Sequence, residues 1–370
     1  MSEIENSSLK AISGLGSKAP ACFQVKLASH KLLLDFGAAA GPDPAMPDPE
    51  RIDTPVDAIL LSHQHPDHIG GLLLWDRLGR PPVHATPLVA QAVKARFGIS
   101  CMQFAARDVL TFGQATVTTG ANGHAPGGVW LHLRHADVTL LYMGDHSSES
   151  LLFPFDRPPA AETVILDASY GIDEVTQDVR RRDILRLLQD GDFLLPAPAA
   201  GRALELLLSI VEAGLPAPAI CETTRQSAVA LIADGSAVLH DRAASRLARA
   251  LASALPLGTS GARTMIVADP NLEDVKSQAL AGLWLDAGRK ILLTGHVAAG
   301  TPARALHDRG LAQWARWNVH PTLSQNVALA RQVGARRVLP AFGNLKHAPK
   351  WREAFTAHEL ILSDREIFLS

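Results

Sequence analysis

Between residues 20 and 60 the chain alternates short apolar runs with polar or Pro/Gly-rich breaks. "CFQVKLA", "KLLLDFG" and "DAILLS" each predict a strand, because a brief apolar run bounded by turn signals suits a buried strand better than a helix. The last two end in polar residues, as expected of buried strands that deliver functional groups at their ends. The pattern then predicts a helix beginning in "IGGLLLWDRLG" and ended by Gly79 and Pro81, a second helix from about Pro87 to Phe97, and strands at "ATVTTGA", "VWLHLRH" and "VTLLYMGD". From Asp173 the texture changes to alternating helices and strands: "DEVTQDVRRRDILRLLQDG", "DFLLPAP", "AGRALELLLSIVEAG", "PAICE", an Ala-rich run at 242–255, "TMIVAD", a helix near 272–285 and "KILLTG". Such alternation predicts a parallel α/β unit with its own sheet. "SQNVALARQVGARRVLPAFG" adds one more helix–strand pair.

Composition changes this picture little. With 370 residues, 47% hydrophobic and 19% charged, the chain can bury one large core or two modest ones. A formal net charge of −2 exerts no bulk pull on nucleic acid, so any basic surface must be local. The cysteines, Cys22, Cys101 and Cys221, are few, widely spaced and without a CxxC pair, which argues against both a disulfide framework and a thiolate metal site. The start "MSEIENSSLK" is polar and acidic, unlike a signal peptide, and the apolar runs are too short to span a bilayer. A cytoplasmic protein without membrane attachment is the expectation.

The candidate chemistry sits in "LSHQHPDHIG", residues 61–70. His63 and His65 are two apart, so on an extended segment both side chains project to one side. Asp67 and His68 follow a proline, where the chain turns and can present a second set of ligands beside the first. Imidazole and carboxylate without thiolate suit Zn²⁺, or Mn²⁺ and Fe in an oxygen-rich site. Mixed His/Asp clusters in hydrolases often hold two ions about 3.5–4 Å apart that activate a water.

These residues resemble the metallo-β-lactamase fold, whose signature is HxHxDH after a buried strand. Its other motifs follow in order: "LLLDFG", with Asp35 behind the ligands; "GHAPGG", a lone ligand at His124; and "LYMGDH", where Asp145 would bridge two ions. The resemblance implies a first metal held by His63, His65, His124 and Asp145, and a second by Asp67, His68 and Asp145. The second half is similar to the β-CASP branch, which includes ribonuclease J and the pre-mRNA 3′-end endonuclease: "LDASYG" looks like the motif that opens the insertion, and "LLPAPAAGRALELLL" and "LLTGHVAAGTPAR" look like two of its inner segments. "WNVHPTLSQNVALA" fills the general-acid slot. A protonated imidazole there can donate to the leaving oxygen while a carboxylate keeps it oriented.

The implied fold is therefore α/β: an αββα sandwich at 1–171 and 317–370, interrupted by a parallel α/β insertion at 172–316. The implied activity is that of a metal-dependent phosphodiesterase on RNA, holding two zinc ions. Asp67, His320 and Asp167 are its catalytic groups, and Arg202, Thr301 and Arg304 contact the substrate phosphates. A homodimer is compatible with that family. The pattern departs at the C-terminal motif, usually "VHGE". Here "LPAFGNLKH" puts Phe342 in the histidine position and leaves two outcomes open: His347, five residues on, reaches back as a substitute ligand, or the second metal has three protein ligands, binds weakly or is absent. The segment between "GTPAR" and His320 is also short. These departures keep two alternatives open: a small-molecule metallohydrolase for an ester, lactone or cyclic phosphodiester, and a non-catalytic nucleic-acid-binding paralogue.

Overall fold

A computed structural model describes residues 7–39, 44–235 and 238–369. The first six residues of the acidic start, read above against a leader peptide, lie outside them. The chain forms two compact units. One comprises Met1–Ser148, Pro154–Glu174 and His320–Ser370; the other comprises Glu149–Phe153 and Val175–Val319.

The first unit holds two seven-stranded sheets. One begins with β1 (Ser8–Ser13), β2 (Cys22–Leu27), β3 (His30–Leu34), β4 (Ala58–Leu60), β5 (Val83–Ala85) and β6 (Met102–Gln103), ordered as in the chain. The other runs from β7 (Val109–Phe112) through β8 (Ala115–Ala121), β9 (Val129–His135) and β10 (Val138–Tyr142) to β11 (Thr163–Asp167). Their apolar runs are nearly unbroken because both faces of each sheet are covered. Leu32 and Leu34 face the core between the sheets while Leu33 faces the outer layer with Phe36, Leu72 and Val89. Leu140 and Tyr142 likewise face inward and Leu141 outward, against Leu329, Ala330 and Trp351. Each fully buried side chain of this kind contributes about 1.5–3 kcal/mol of burial energy. The result is the expected αββα sandwich.

The second unit is built on a six-stranded, wholly parallel sheet of β12 (Phe193–Pro196), β13 (Ala219–Ile220), β14 (Leu255–Pro256), β15 (Thr264–Val267), β16 (Lys290–Leu293) and β17 (Ala312–Trp314), in the order β14-β13-β15-β12-β16-β17. Helices Gln177–Asp190, Arg202–Glu212 and Val275–Asp286 fall where the periodicity predicts them. Glu205 fastens this unit internally: its carboxylate is buried and accepts from Ser150 Oγ, the Leu151 amide and Trp317 Nε1. That is why the short segment 149–153 belongs here, although nothing in its sequence says so.

The chain then returns to the first unit with β18 (Arg337–Ala341), which pairs parallel with β11, and with β19 (Glu359–Leu360) and β20 (Ile367–Phe368) at the sheet edges. One expected element differs. The run after the histidine cluster makes a single α-turn, Pro66–Ile69, and then a nine-residue 3₁₀ segment, Gly70–Leu78. Gly70 and Gly71 start that segment pressed against the Phe36–Ala38 backbone, where an added Cβ would come within 3 Å of neighbouring atoms. β1 and β7 went unpredicted because polar and apolar residues mix in "SLKAIS" and "VLTF" stands exposed at an edge.

Candidate metal centre

His63, His65, Asp67, His68, His124 and Asp145 come from loops that follow sheet strands in the first unit. His63 and His65 leave β4. Pro66 sets the first helical position, and the amides of His68 and Ile69 both bond the His65 carbonyl (2.9 and 3.1 Å), so the chain reverses over Asp67 and His68. The loop is held close to its neighbours: the Asp67 carbonyl accepts from the Ala21 amide at 2.8 Å, and a Cβ on Gly37 would lie 1.8 Å from that oxygen. Only glycine permits that approach. His124 follows β8, its amide bonded to Asn122 Oδ1 at 3.1 Å. Asp145 follows β10 after Gly144, which takes a φ of 56° against Ser62.

His63 Nε2 and His124 Nε2 each lie 3.0 Å from Nδ1 of His65. Asp145 Oδ2 stands 3.6 Å from His124 Nε2 and 4.0 Å from His63 Nε2. These four atoms form one ligand set; Asp67, His68 and Asp145 form a second; Asp145, Asp167 and His320 form a third. Ligands about a shared zinc at 2.0–2.1 Å are spaced by roughly 3.3 Å, so the first set fits an ion. Its protonation state fits too. Burial, reinforced by the neighbouring imidazoles, keeps His63 well below its ordinary pKa, and burial takes His65 to about 4. The rings are thus neutral and offer lone pairs.

Asp35 supports this floor from behind. Its Oδ1 accepts from the Ser62 amide (2.7 Å), and its Oδ2 accepts from Ser62 Oγ (2.6 Å) and Tyr142 Oη (2.5 Å) and lies 2.7 Å from His68 Nδ1. Carboxylate–imidazole pairing of this kind fixes ring orientation and tautomer. Burial alone would depress His68, but Asp145 and Asp35 outweigh it and hold its pKa well above the ordinary value. Burial likewise opposes ionisation of Asp145, yet Lys18, His68 and His320 keep it well below the carboxylate range.

The third set contains an imidazole–carboxylate pair. His320 Nδ1 is 2.6 Å from Asp167 Oδ2, and both are buried. Asp167 is itself fixed: its second oxygen accepts from the Ser169 amide at 3.0 Å, its carbonyl accepts from Asn326 Nδ2 at 2.7 Å, and despite burial its pKa is lowered by His320. The ring of His320 lies 4.9 Å from those of His124 and Tyr170.

Four expected residues belong to none of these sets. His347 belongs to no ligand group among the described residues; it starts the helix Ala348–Ala354 and its ring abuts Gly171, where a Cβ would sit 2.7 Å from Nε2. A 3₁₀ turn after Asn344 carries it there. Phe342 stands beside the second set instead, its ring edge-on to His68 with centroids 5.3 Å apart. In the second unit, Thr301 caps a helix, Arg304 Nε pairs with Asp308 at 2.8 Å, and Arg202 packs closely on Gly295. Conversely, the motif series did not point to Lys18, whose ammonium lies 3.7 Å from Asp67 Oδ2 and 3.9 Å from Asp145 Oδ2. A lone lysine in "GLGSKAP" carries no ligand signal. Tyr142, in the quoted "LYMGD", was legible only as a strand-end apolar residue.

Residues 30–153 match the beta-lactamase superfamily domain. A ribonuclease of Thermus thermophilus is 29% identical over 214 residues, 48% of this chain and 48% of that protein. Transcription termination factor FttA of Cenarchaeum symbiosum is 28% identical, over 55% of this chain and 38% of the relative; the FttA of Methanothermobacter thermautotrophicus is 25% identical, over 55% and 39%. The matches thus span about half or less of these relatives' length. A crystal structure of a protein of unknown function from Enterococcus faecalis covers 98% of this chain and 100% of its own, with a TM-score of 0.64 at 13% identity, and shows the fold alone. Among the described residues, no helix is long and apolar enough to cross a membrane. Over residues 30–153, then, the chain is similar to the beta-lactamase superfamily domain, and the proteins it resembles include a ribonuclease and transcription termination factors.

Proposed function

We propose that this protein is a metal-dependent phosphodiesterase that cleaves RNA. One observation carries the reading: a three-histidine, one-carboxylate set beside a buried His320–Asp167 pair. His63, His65, His124 and Asp145 would hold the ion, and the borderline-soft, oxygen–nitrogen donor set favours Zn²⁺. When bound, the ion supplies a water acidified to the neutral range and a Lewis acid for the phosphoryl oxygen.

The protein's own residues do the rest. Asp167 accepts from Nδ1 of His320, which fixes the tautomer and leaves Nε2 to carry the proton given to the leaving oxygen. Asp67, at the cluster's edge, orients the attacking water by accepting its hydrogen bond. Asp35, Ser62 and Tyr142 keep the floor from shifting. Arg202, Thr301 and Arg304, within the β-CASP-like insertion expected at 172–316, would contact the RNA backbone, the two guanidinium forks being suited to phosphate oxygens. RNA as substrate is supported by the ribonuclease among the relatives.

End-labelled single-stranded RNA incubated with zinc- or manganese-loaded protein tests the proposal. The wild type should cleave it and His65→Ala should not. No cleavage with either metal would overturn the nuclease reading.

A further inference from the structure

The second ligand set, Asp67, His68 and Asp145, is short of a fourth protein donor. Phe342 stands against His68 where a further ligand would be useful, and its buried phenyl ring offers no donor atom. His347 is turned away to Gly171. The same place already contains a cation. Lys18 Nζ lies 3.7 Å from Asp67 Oδ2, 3.9 Å from Asp145 Oδ2 and 3.3 Å from Ser169 Oγ. Its side chain is 37% exposed, and its ammonium sits among these acceptors.

The lysine and the phenylalanine belong to one piece of structure. Lys18 lies in the turn between β1 and β2, and that turn accepts two hydrogen bonds from the Phe342 segment: Phe342 amide to Gly14 carbonyl at 2.7 Å, and Leu345 amide to Gly16 carbonyl at 3.3 Å. At its other end the Ala21 amide bonds the Asp67 carbonyl at 2.8 Å. The turn is thus strapped both to the ligand loop and to the strand end that carries phenylalanine. Gly14 has a φ of 96°, and a Cβ there would meet the Phe23 ring at 2.8 Å and the Phe342 ring at 3.3 Å. These backbone bonds hold the Lys18 turn against the second ligand set, and Gly14 lets it pack on Phe342.

We propose that the ammonium of Lys18 takes the place of a second metal ion, so that this centre binds a single ion in the His63, His65, His124, Asp145 set. A positive charge between Asp67 and Asp145 offsets their mutual repulsion, as an ion would, and stands ready to neutralise a phosphoryl oxygen. It does so without exchangeable coordination sites, so only the first position can present an activated water. The inference rests on the metal-centre reading above, but not on RNA being the substrate.

The test is metal stoichiometry, independent of cleavage. Chelator-stripped full-length protein is titrated with zinc by calorimetry, and the metal retained after desalting is counted by mass spectrometry. Wild type should bind one zinc per chain. Phe342→His alone should still bind one, because the ammonium remains. Lys18→Met with Phe342→His should bind two, with circular dichroism confirming the fold of each variant. Two tightly held zincs in the wild type, or two in Phe342→His with Lys18 intact, would overturn the proposal. Failure of the double variant to gain a second ion would overturn it too. A wild type that binds no zinc would overturn this inference and the metal-centre reading together. One zinc without RNA cleavage would leave the single-ion centre standing and remove only the nuclease.

Discussion

The two halves of the centre share Asp145 yet are built in opposite ways. Around His63, His65 and His124, three ring nitrogens crowd together, two of them 3.0 Å from the single Nδ1 of His65. Such an arrangement is costly unless an ion fills it. Around Asp67 and His68, every charge already has a protein counterpart: Lys18 for Asp67, Asp35 and Asp145 for His68. The first half is poised for a metal; the second is internally balanced. Motif spacing alone does not separate these cases, because both halves draw ligands from one HxHxDH stretch.

The contrast breaks most readily at the first half. His65→Ala should abolish zinc retention and RNA cleavage together, since it removes the nitrogen shared by both close contacts. Retained zinc with full activity would show that the set is not the metal site. His320→Ala comes next. Loss of a general acid typically costs 10²–10⁴-fold, so cleavage should fall by about that factor while the zinc count stays at the wild-type value. Loss of zinc in this variant would place His320 among the ligands instead.

Asp35→Asn sharpens the comparison at a smaller scale. Asp35 orients His68 in the second half and touches no ligand of the first; it reaches that half through Ser62, whose hydroxyl lies 3.0 Å from His63 Nδ1, and through His68, whose Nε2 lies 3.3 Å from Asp145 Oδ1. Removal of a carboxylate that orients metal-binding histidines typically costs about 10–100-fold in affinity. With one ion in the first half, the loss should fall at or below the low end of that range. A loss near 100-fold, read by competition with a chromogenic chelator, would mean that His68 ligates directly.

How much of this was legible in the sequence follows from the same contrast. The first half was readable because its ligands are chemically distinctive and placed at strand ends: His63 and His65 by alternation, His124 and Asp145 by order along the chain. The parallel unit was readable because helix and strand periods alternate cleanly from "DILRLLQDG" to "KILLTG". Lys18 was not, because its meaning lies in a contact across 49 residues to Asp67 and 127 to Asp145, set by backbone bonds from a turn. His347 misled for the converse reason. Five residues from Phe342 is near in sequence, but the turn after Asn344 points that length of chain toward Gly171. The 3₁₀ segment at 70–78 was hidden in the same way, since its winding accompanies a close backbone approach that an apolar pattern does not encode.

The smallest effect should appear in metal-free protein as a dependence of stability on pH, with the two halves pulling in opposite senses. His65 and the nearby buried His146 both titrate at about 4 when folded, and His63 well below its ordinary value. In the unfolded chain each titrates near 6.5. As pH falls from 6.5 toward 4, the unfolded state takes up protons that the folded state does not, so these groups destabilise the fold by up to about 1.4 kcal/mol per pH unit each. His68 has the reverse sign. Its raised folded pKa gives stability that is fully present below 6.5 and lost as pH rises through that folded value. Asp67 and Asp145, with lowered pKa values, matter only below about 4. The thermal midpoint of chelator-treated protein should therefore peak near pH 6.5 and fall on the acid side, by roughly 1–2 °C for each kcal/mol lost. Saturating zinc should steepen the acid limb, because the ion holds the three imidazoles unprotonated in the folded state alone. A midpoint that rises steadily from pH 6.5 to 4.5 would mean that the first-half histidines are already protonated, and the two halves would no longer differ.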